Sequence, residues 1–280
     1  MQDIFQLLLH SMTILKEMEE LTNKNHHGTK EYREKQTELN NIIVETLRLM
    51  VFKKDWIRMK LNTIYNEDCI ESMVKMDDKS VDMILTDIPY GVVNRKDNGL
   101  RNLNKEKADV FDLDMNKMLE EFYRISRGQI IVFCGKEQFS DIYEFFANQK
   151  GTTRPIIWHK SNPSPMNGQY VYLSGVELAV WFKPRGRKVF NAHCKNTVFK
   201  HSNGSRKIHP TQKNVKLFEE LILDNTNENE IVFDPFMGSG TTAIACLDTN
   251  RQYIGFELDE EYYRLANERI ETHKTQLSLI

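Results

Sequence analysis

The sequence predicts an α/β fold, in which a mostly parallel, doubly wound, Rossmann-like sheet follows an N-terminal helical hairpin. Two observations support this. After Trp56, short β-like runs alternate with amphipathic stretches, the pattern of repeated β-α-β units. Before Trp56, apolar residues recur at helical spacing. The chain has 280 residues, enough for a small hairpin, residues 1–56, and one large α/β domain, residues 57–280.

The hairpin is predicted from two apolar stripes separated by a polar break. The stripes follow residues 4–21 and 32–50, and Gly28 in the break is suited to ending the first helix. Such stripes must be buried against each other, against the main domain or against a second subunit. A homodimer is therefore one of three arrangements that stay open.

The main domain begins with a strand and ends with a helix. Strands are predicted near residues 61–65, 81–86, 129–133, 155–158, 176–182, 231–233 and 253–257. Helices are predicted near residues 115–125, 214–224, 241–248 and 260–272. Ligands of such folds bind at the carboxyl ends of the parallel strands, so those ends are where the site is expected.

The clearest local pattern is IVFDPFMGSGTT, residues 231–242. An apolar strand ends at Asp234, and the glycine loop 238–240 turns directly into a helix. Glycines let the backbone approach a ligand closely, and a helix N-terminus offers N–H groups to an anion. Glu257 follows Gly238 by 19 residues, where an acid in nucleoside-binding folds accepts hydrogen bonds from ribose. The GxGxxG and GxxxxGK[ST] patterns are absent, so the loop predicts a nucleoside cofactor of another kind.

FDPFMGSGTT resembles the S-adenosylmethionine-binding motif of the DNA amino-methyltransferases. Upstream, Asp87-Ile88-Pro89-Tyr90 ends a second apolar strand and resembles the catalytic [DNS]PP[YF] motif of that family, with Ile88 in place of its first proline. The resemblance implies that Asp87 and the Ile88 carbonyl accept the two N–H groups of a base's exocyclic amine, which localises its lone pair for attack on the methyl group. Pro89 keeps residue 88 from helical angles. Tyr90 would stack on a base flipped out of the duplex.

Further motifs extend the resemblance over about residues 61–266, including WHKSNPSP near the target base and HPTQK beside the cofactor, where Asn214 replaces a final proline. The catalytic motif precedes the glycine loop, which is the order of the family's β group and implies a methyltransferase fold. The cofactor-binding residues that the resemblance and the glycine-loop pattern imply are Asp68, Cys69, His209, Thr211, Gln212, Lys213, Asp234, Phe236, Gly238, Ser239, Gly240, Thr241, Thr242 and Glu257.

Charge is distributed unevenly although the net charge is only −2. Residues 183–207 hold eight basic residues and no acid, and a second basic stretch follows Tyr90. Such clusters can neutralise phosphates. In the β group, target recognition lies in this interval, so residues 183–208 are expected to form a short recognition insertion. The predicted DNA-binding residues are Arg95, Lys96, Arg101, Lys160, Asn162, Arg185, Arg187, Lys188, Lys195, Lys200, Arg206 and Lys207.

These patterns predict an enzyme that methylates adenine N6 in double-stranded DNA, since Asp87 is typical of adenine enzymes and serine is common in cytosine enzymes. Cytosine N4 methylation, an inactive DNA-binding relative and methylation of RNA or of a protein glutamine stay open as alternatives. A cognate restriction endonuclease is a further expected partner. Four separated cysteines without a CxxC pair argue against zinc and for a reducing cytoplasm. No metal, membrane span or secretory signal is expected.

Overall fold

The structure is a computed structural model that describes residues 2–23, 29–52, 59–90, 114–163, 168–203 and 213–277. The chain divides into two compact units, Met1–Ile57 and Arg58–Ile280. In the described part of the chain, none of the helices combines the length and the apolar character needed to cross a membrane.

The first unit is a pair of helices, α1 (Gln2–Asn23) and α2 (Lys30–Phe52). Lys35 on α2 forms an ion pair with Glu17 on α1 at 2.5 Å. Within this unit the described parts of the two apolar stripes pack against each other and bury Ile14, Met18, Leu39 and Ile42. Burial of one helix face against another is the main source of stability for such amphipathic helices.

The second unit contains one sheet, whose strands run in the order β1-β8-β7-β2-β3-β5-β4-β6. Every pairing that involves β5 is antiparallel and the others are parallel. The strands are β1 (Thr63–Tyr65), β2 (Val81–Asp87), β3 (Ser126–Cys134), β4 (Gly151–Lys160), β5 (Val176–Pro184), β6 (Val198–His201), β7 (Ile231–Asp234) and β8 (Gln252–Phe256). The predicted α/β fold with a mostly parallel sheet is confirmed.

Helices cover both faces of the sheet and enclose two hydrophobic clusters. On β2, Met83 and Leu85 join one cluster whereas Ile84 joins the other, because successive side chains of a strand point to opposite faces. One face is covered by α6 (Val215–Asn225), α7 (Thr241–Asp248) and α8 (Glu260–Leu277). The other face is covered by α3 (Cys69–Met73), α4 (Met115–Ile125) and α5 (Phe139–Ala147).

The parallel strands end at a common edge, here called the carboxyl edge, and begin at the opposite amino edge. Asp87 and Asp234 end the neighbouring strands β2 and β7 at the carboxyl edge. Since β5 runs the other way, Val176 lies at the carboxyl edge and Pro184 at the amino edge, where it pairs with Gly151. The chain after β5 therefore leaves from the edge opposite the catalytic motif.

Three elements were not predicted from the sequence: α3, α5 and β6. Helix α3 has five residues, too few for a helical period to be visible. Strand β6 lies inside the predicted recognition insertion and pairs with β4, from Ile157 with Val198 to Lys160 with His201. Its four residues, VFKH, contain too few apolar positions to predict a strand. Part of the predicted insertion is thus the outermost strand on one side of the sheet.

Candidate active site at the carboxyl edge of the sheet

The tetrapeptide predicted to be catalytic, Asp87-Ile88-Pro89-Tyr90, begins at the last residue of β2 and lies beside the end of β3. The Ile88 N–H donates to the Phe133 carbonyl at 3.1 Å, which extends the pairing of the two strands, and the Ile88 side chain is buried. A proline could not donate this hydrogen bond. The departure of Ile88 from the family motif therefore has a structural role, because it adds one strand hydrogen bond and one buried aliphatic side chain.

A network of buried polar groups surrounds Asp87. The Tyr90 hydroxyl donates to Asp87 Oδ1 at 2.9 Å, and the Lys213 ammonium lies 3.0 Å from the same oxygen. Lys213 also donates to the Tyr90 hydroxyl at 3.0 Å and forms an ion pair with Glu177. Its side chain is only 6 % exposed. Lys213, which lies just before α6, thus links the tetrapeptide to Glu177 on β5.

Lys160 completes a charge-balanced group on the β4 side. Its ammonium lies 2.6 Å from Glu177 Oε1 and 5.2 Å from the centre of the buried Trp158 ring. Lys213 lies over the Tyr90 ring at 5.3 Å, so both ammonium groups face aromatic rings. Two carboxylates and two ammonium groups with aromatic neighbours form an electrically neutral lining, which suits an uncharged planar base.

The pKa shifts of this network follow from burial and pairing. Burial raises the pKa of Asp87, and Lys213 opposes that shift without cancelling it. For Glu177, burial acts upward, but the ammonium groups of Lys213 and Lys160 outweigh it and hold its pKa below the ordinary value. Burial would lower the pKa of Lys213, yet Asp87 and Glu177 raise it, so this lysine stays charged. Burial, with the nearby carboxylates, also raises the pKa of Tyr90, which keeps the phenol protonated.

The turn after the tetrapeptide is supported by a glutamine from the next connection. The Gln138 side-chain amide donates to the Pro89 carbonyl at 2.9 Å and accepts from the Gly135 N–H at 2.9 Å. A Cβ atom at Gly135 would stand 3.2 Å from Gln138 Oε1, so the glycine leaves room for this hydrogen-bonded side chain. Gln138 therefore fixes the backbone that carries Tyr90.

Asp234 joins the catalytic strand to the glycine loop. Its Oδ1 accepts from the Thr86 hydroxyl at 2.7 Å and from the Phe236 N–H at 3.1 Å, and its Oδ2 accepts from the Thr242 hydroxyl at 2.5 Å. Burial raises the pKa of Asp234 to about 6, against the effect of these hydrogen bonds. Thr86 immediately precedes Asp87, so Asp234 fixes the two motifs side by side and has a structural role.

The glycine loop has the backbone that its sequence predicts. Gly238 and Gly240 have φ of 52° and 77°, a left-handed conformation that costs side-chain-bearing residues about 1–2 kcal/mol. Glu257 lies against this loop, because its Oε2 accepts from the Gly238 N–H at 2.8 Å and its Oε1 from the Asp259 N–H at 2.9 Å. Asp68 follows β1 and caps α3 through Oδ1, which accepts from the Ile70 N–H at 2.8 Å.

These residues fit the S-adenosylmethionine that the resemblance implies. Each carboxylate oxygen has a second lone pair, so Glu257 and Asp68 can still accept from ribose hydroxyls and an adenine amino group. The first N–H groups of α7 lack partners within the helix and can bind the carboxylate of the cofactor's methionine part. Phe236, between Asp234 and the loop in sequence, is partly buried against the hydrophobic cluster on one face of the sheet.

Four of the predicted cofactor-binding residues have side chains that bond or pack within the protein, and their contacts with a cofactor stay predictions. Thr242 bonds Asp234, while Ser239 and Thr241 are buried next to Arg269, whose Nη1 donates to the Ser239 carbonyl at 2.8 Å. Cys69 packs in the core, and burial raises its thiol pKa to about 12. Such residues can offer only backbone groups to a ligand.

The HPTQK segment is only partly described. Lys213 contacts Asp87, Tyr90 and Glu177, and its predicted contact with the cofactor stays a prediction. Asp87, Tyr90, Glu177, Lys160 and Lys213 are together called the amine-binding group, after the role proposed below for Asp87. Asn214 caps α6, since its Oδ1 accepts from the Leu217 N–H at 3.2 Å. Its amide also donates to the Ser202 carbonyl at 2.7 Å, so its departure from the family proline also has a structural role. His209, Thr211 and Gln212 lie outside the described residues.

The predicted DNA-binding residues separate into groups. Lys160, Asn162 and Lys200 lie at or near the carboxyl edge, and Asn162 Oδ1 accepts from the Asn203 N–H at 2.6 Å. Lys195 is paired with Asp224 at 2.5 Å. The predictions for Arg95, Lys96, Arg101, Arg206 and Lys207 lie outside the described residues.

The remaining group, Arg185, Arg187 and Lys188, lies at the amino edge, away from the catalytic motif. Arg187 bonds Glu230 at 2.7 Å and lies 3.7 Å from Asp82, at the starts of β7 and β2. The structure therefore does not bring these three residues to the tetrapeptide, because antiparallel β5 carries the chain across the sheet. We infer that Arg187 stabilises the amino edge of the sheet.

Glu177 and Gln138 were not predicted from the sequence. Glu177 could have been noticed as an acid at the start of the apolar strand VELAVWF, whereas Gln138 had no signal. Among the described residues, no group of three or more histidine, cysteine, aspartate or glutamate side chains is placed to hold a metal ion.

Comparison with known proteins identifies the family of this chain. The family model for N6/N4 DNA methylases matches residues 81–268. The type II methyltransferase M.HpaI of Haemophilus parainfluenzae is 29% identical over 245 residues, covering 73% of each chain. Putative methylase YubD of Escherichia coli K12 is 29% identical over 205 residues, covering 72% of this chain and 87% of the relative.

Solved structures show the same likeness. The complex of M1.HpyAVI with S-adenosylmethionine has a TM-score of 0.59 and 31% identity, covering 74% of this chain and 98% of the other. The cytosine-N4-specific PvuII methyltransferase has a TM-score of 0.55 at 16% identity, which shows the shared fold. The chain belongs to the N6/N4 family of S-adenosylmethionine-dependent DNA methyltransferases.

Proposed function

We propose that the protein transfers a methyl group to N6 of an adenine flipped out of duplex DNA. The observation that supports this most strongly is the side-by-side position of the two motifs: Thr86 binds Asp234 at 2.7 Å, so Asp87 stands next to the glycine loop. An amine held at Asp87 would lie beside a cofactor held at that loop. The aspartate at the first tetrapeptide position favours adenine over cytosine.

The chain's own residues supply positioning and charge. The exocyclic amine of adenine is a weak nucleophile because its lone pair is delocalised into the ring. Asp87 and the Ile88 carbonyl accept its two N–H groups and localise that lone pair, and the Asp87 charge stabilises the positive charge that develops on nitrogen. When bound, S-adenosylmethionine supplies the methyl group. Asp87, whose pKa burial raises, then takes the proton that the amine loses.

In the structure, both contacts of Asp87 with described residues go to Oδ1, from Tyr90 and Lys213. Oδ2 receives none from the described part of the chain, so it is the oxygen to which we assign the amine. The Tyr90 ring, under the Lys213 ammonium at 5.3 Å, then presents its other face to the base. Lys213 holds Asp87 and Tyr90 in a fixed relation while the base enters.

The likeness to type II methyltransferases leads us to infer a cognate restriction endonuclease with the same recognition site. A relative named as an orphan methyltransferase, M.BamHII of Bacillus amyloliquefaciens, is 43% identical over 99 residues, so the alternative is an enzyme without such a partner. Restriction of unmethylated plasmid in cell extract, with protection of plasmid methylated by this protein, distinguishes the two.

The test is transfer of labelled methyl from S-adenosylmethionine to unmethylated duplex DNA, followed by digestion to nucleosides. We expect label on N6-methyl-2′-deoxyadenosine, and a loss of at least about 100-fold in Asp87→Ala, comparable to the loss of one group that stabilises transition-state charge. The control is Asp77→Ala, which removes an exposed carboxylate before β2. Label on N4-methylcytosine would change the target base, and DNA binding without any label would show an inactive relative.

A further inference from the structure

The loop that joins β4 to β5 exposes four apolar side chains in succession. Tyr170 and Val171 are 80 % and 61 % exposed, and Tyr172 and Leu173 are 103 % and 43 % exposed. A run of exposed apolar residues has no stabilising role in an isolated chain and marks a surface that another molecule covers. The run is defined here as the apolar tip, residues 170–173.

The apolar tip lies at the carboxyl edge, next to the amine-binding group. The Lys160 N–H donates to the Gly175 carbonyl at 2.8 Å, which closes the base of the loop where β4 ends. Glu177, the partner of Lys213 and Lys160, follows Tyr172 by five residues. At about 3.6 Å per residue, the Cα atoms of Tyr172 and Glu177 are at most about 18 Å apart. The tip is therefore within reach of DNA whose target base occupies the site.

The chemistry of the loop fits the inside of a duplex better than its backbone. Residues 161–175 contain no charged side chain, so the loop neither attracts nor repels phosphates. Two tyrosine rings stack well on bases of any sequence, and apolar side chains can enter an opened base step. The lysines that can meet phosphates, such as Lys200 on β6, lie beside the loop on neighbouring strands.

We propose that the apolar tip is a DNA wedge, in which Tyr172 enters the duplex and occupies the space that the flipped adenine leaves. This inference rests on the proposed function, because only a flipped base leaves such a space. A base pair that opens loses its stacking, and an inserted ring restores part of it.

The test compares Tyr172→Ala with wild type on two duplexes containing the sequence that wild type methylates or selectively binds. In one the target adenine is paired with thymine, and in the other it stands opposite an abasic site and is already unpaired. We expect Tyr172→Ala to lower kcat/KM about tenfold or more on the paired duplex and by less than about threefold on the other. Tyr172→Phe keeps the ring and should stay within about twofold of wild type on both.

A second readout does not need methyl transfer. With 2-aminopurine at the target position, wild type should raise its fluorescence as the base unstacks, and Tyr172→Ala should raise it less. If wild type unstacks the base without methylating DNA, the proposed methyl transfer is refuted, whereas the proposed wedge is not. Equal losses on both duplexes, unchanged rates on both, or a dimer that Tyr172→Ala dissociates in sedimentation would each overturn the wedge.

Discussion

Removal of the Lys213 ammonium should destabilise the second unit strongly. Lys213 is 6 % exposed and lies 3.0 Å from Asp87, with Glu177 as its second anionic partner. Lys213→Met keeps most of the apolar volume but leaves two largely buried carboxylates, of which Glu177 retains Lys160. Breaking a buried pair in this way costs about 3–5 kcal/mol. For a unit of this size that corresponds to a fall in Tm of roughly 6–20 °C.

The measurement is thermal and urea unfolding of Lys213→Met, Glu177→Gln and the double variant. Because both substitutions remove the same contact, the free energy of unfolding that the double variant loses should be smaller than the sum of the two single losses, by at least about 1 kcal/mol. The control is Lys216→Met, since that lysine is 74 % exposed and its pair with Glu219 should contribute less than about 1 kcal/mol. Additive losses, or a loss for Lys213→Met no larger than the control's, would refute a buried coupled pair.

The same variant should shift the pH dependence of activity. The ionised form of Asp87 accepts the amine, so activity falls as the pH decreases through the Asp87 pKa, which burial already raises. Lys213 opposes that rise, and its loss moves the acid limb of the kcat/KM profile to higher pH. The loss of this ammonium raises the pKa of Asp87 further, so the acid limb should move upward and not downward. If the acid limb does not move, the ionisation of Asp87 does not determine the rate.

Four further substitutions test other parts of the structure. Arg187→Met should lower the free energy of unfolding by about 1–3 kcal/mol, measured with urea, and leave the salt dependence of DNA binding unchanged, whereas Lys200→Met should reduce the slope of log K against log salt by about 1. Ile88→Pro restores the family motif but removes the hydrogen bond to Phe133, so its Tm should fall and not rise. Gly240→Ala, at φ 77° and with its Cβ atom 3.3 Å from the Ile270 side chain, should weaken S-adenosylmethionine binding in calorimetry by about tenfold.

Local patterns predicted the strands that end at Asp87 and Asp234, because each is an apolar run followed by a turn with its own chemistry. They could not predict which edge of the sheet a charged stretch would reach. Arg187 looked like a DNA contact because its neighbours in sequence are basic, yet its position depends on the direction of β5, which is set by pairing with β3 and β4. Strand direction is a long-range property that charge counts do not contain.

The partners of Lys213 could not be predicted from the sequence either. Lys213 meets Glu177 and Asp87 only because β5 and β2 both flank β3, whereas the sequence places the three residues on separate segments. A motif assigned Lys213 to the neighbouring cofactor because the HPTQK segment was considered as one unit. Side chains of adjacent residues can serve different sites, so a motif predicts where a segment lies better than what each residue contacts.

The charge balance of the site limits where DNA affinity can originate. Asp87 and Glu177 cancel Lys160 and Lys213, so the amine-binding group attracts no phosphate and selects for a neutral base. The apolar tip is uncharged, and Arg187 is paired at the amino edge. Lys200 is exposed on β6 and we expect it to contact phosphate, whereas the predicted phosphate contacts of Arg95, Lys96, Arg101, Arg206 and Lys207 lie outside the described residues. We therefore expect DNA affinity and methyl transfer to depend on different residues of the carboxyl edge. Substitution of the residues that serve one property should leave the other property measurable.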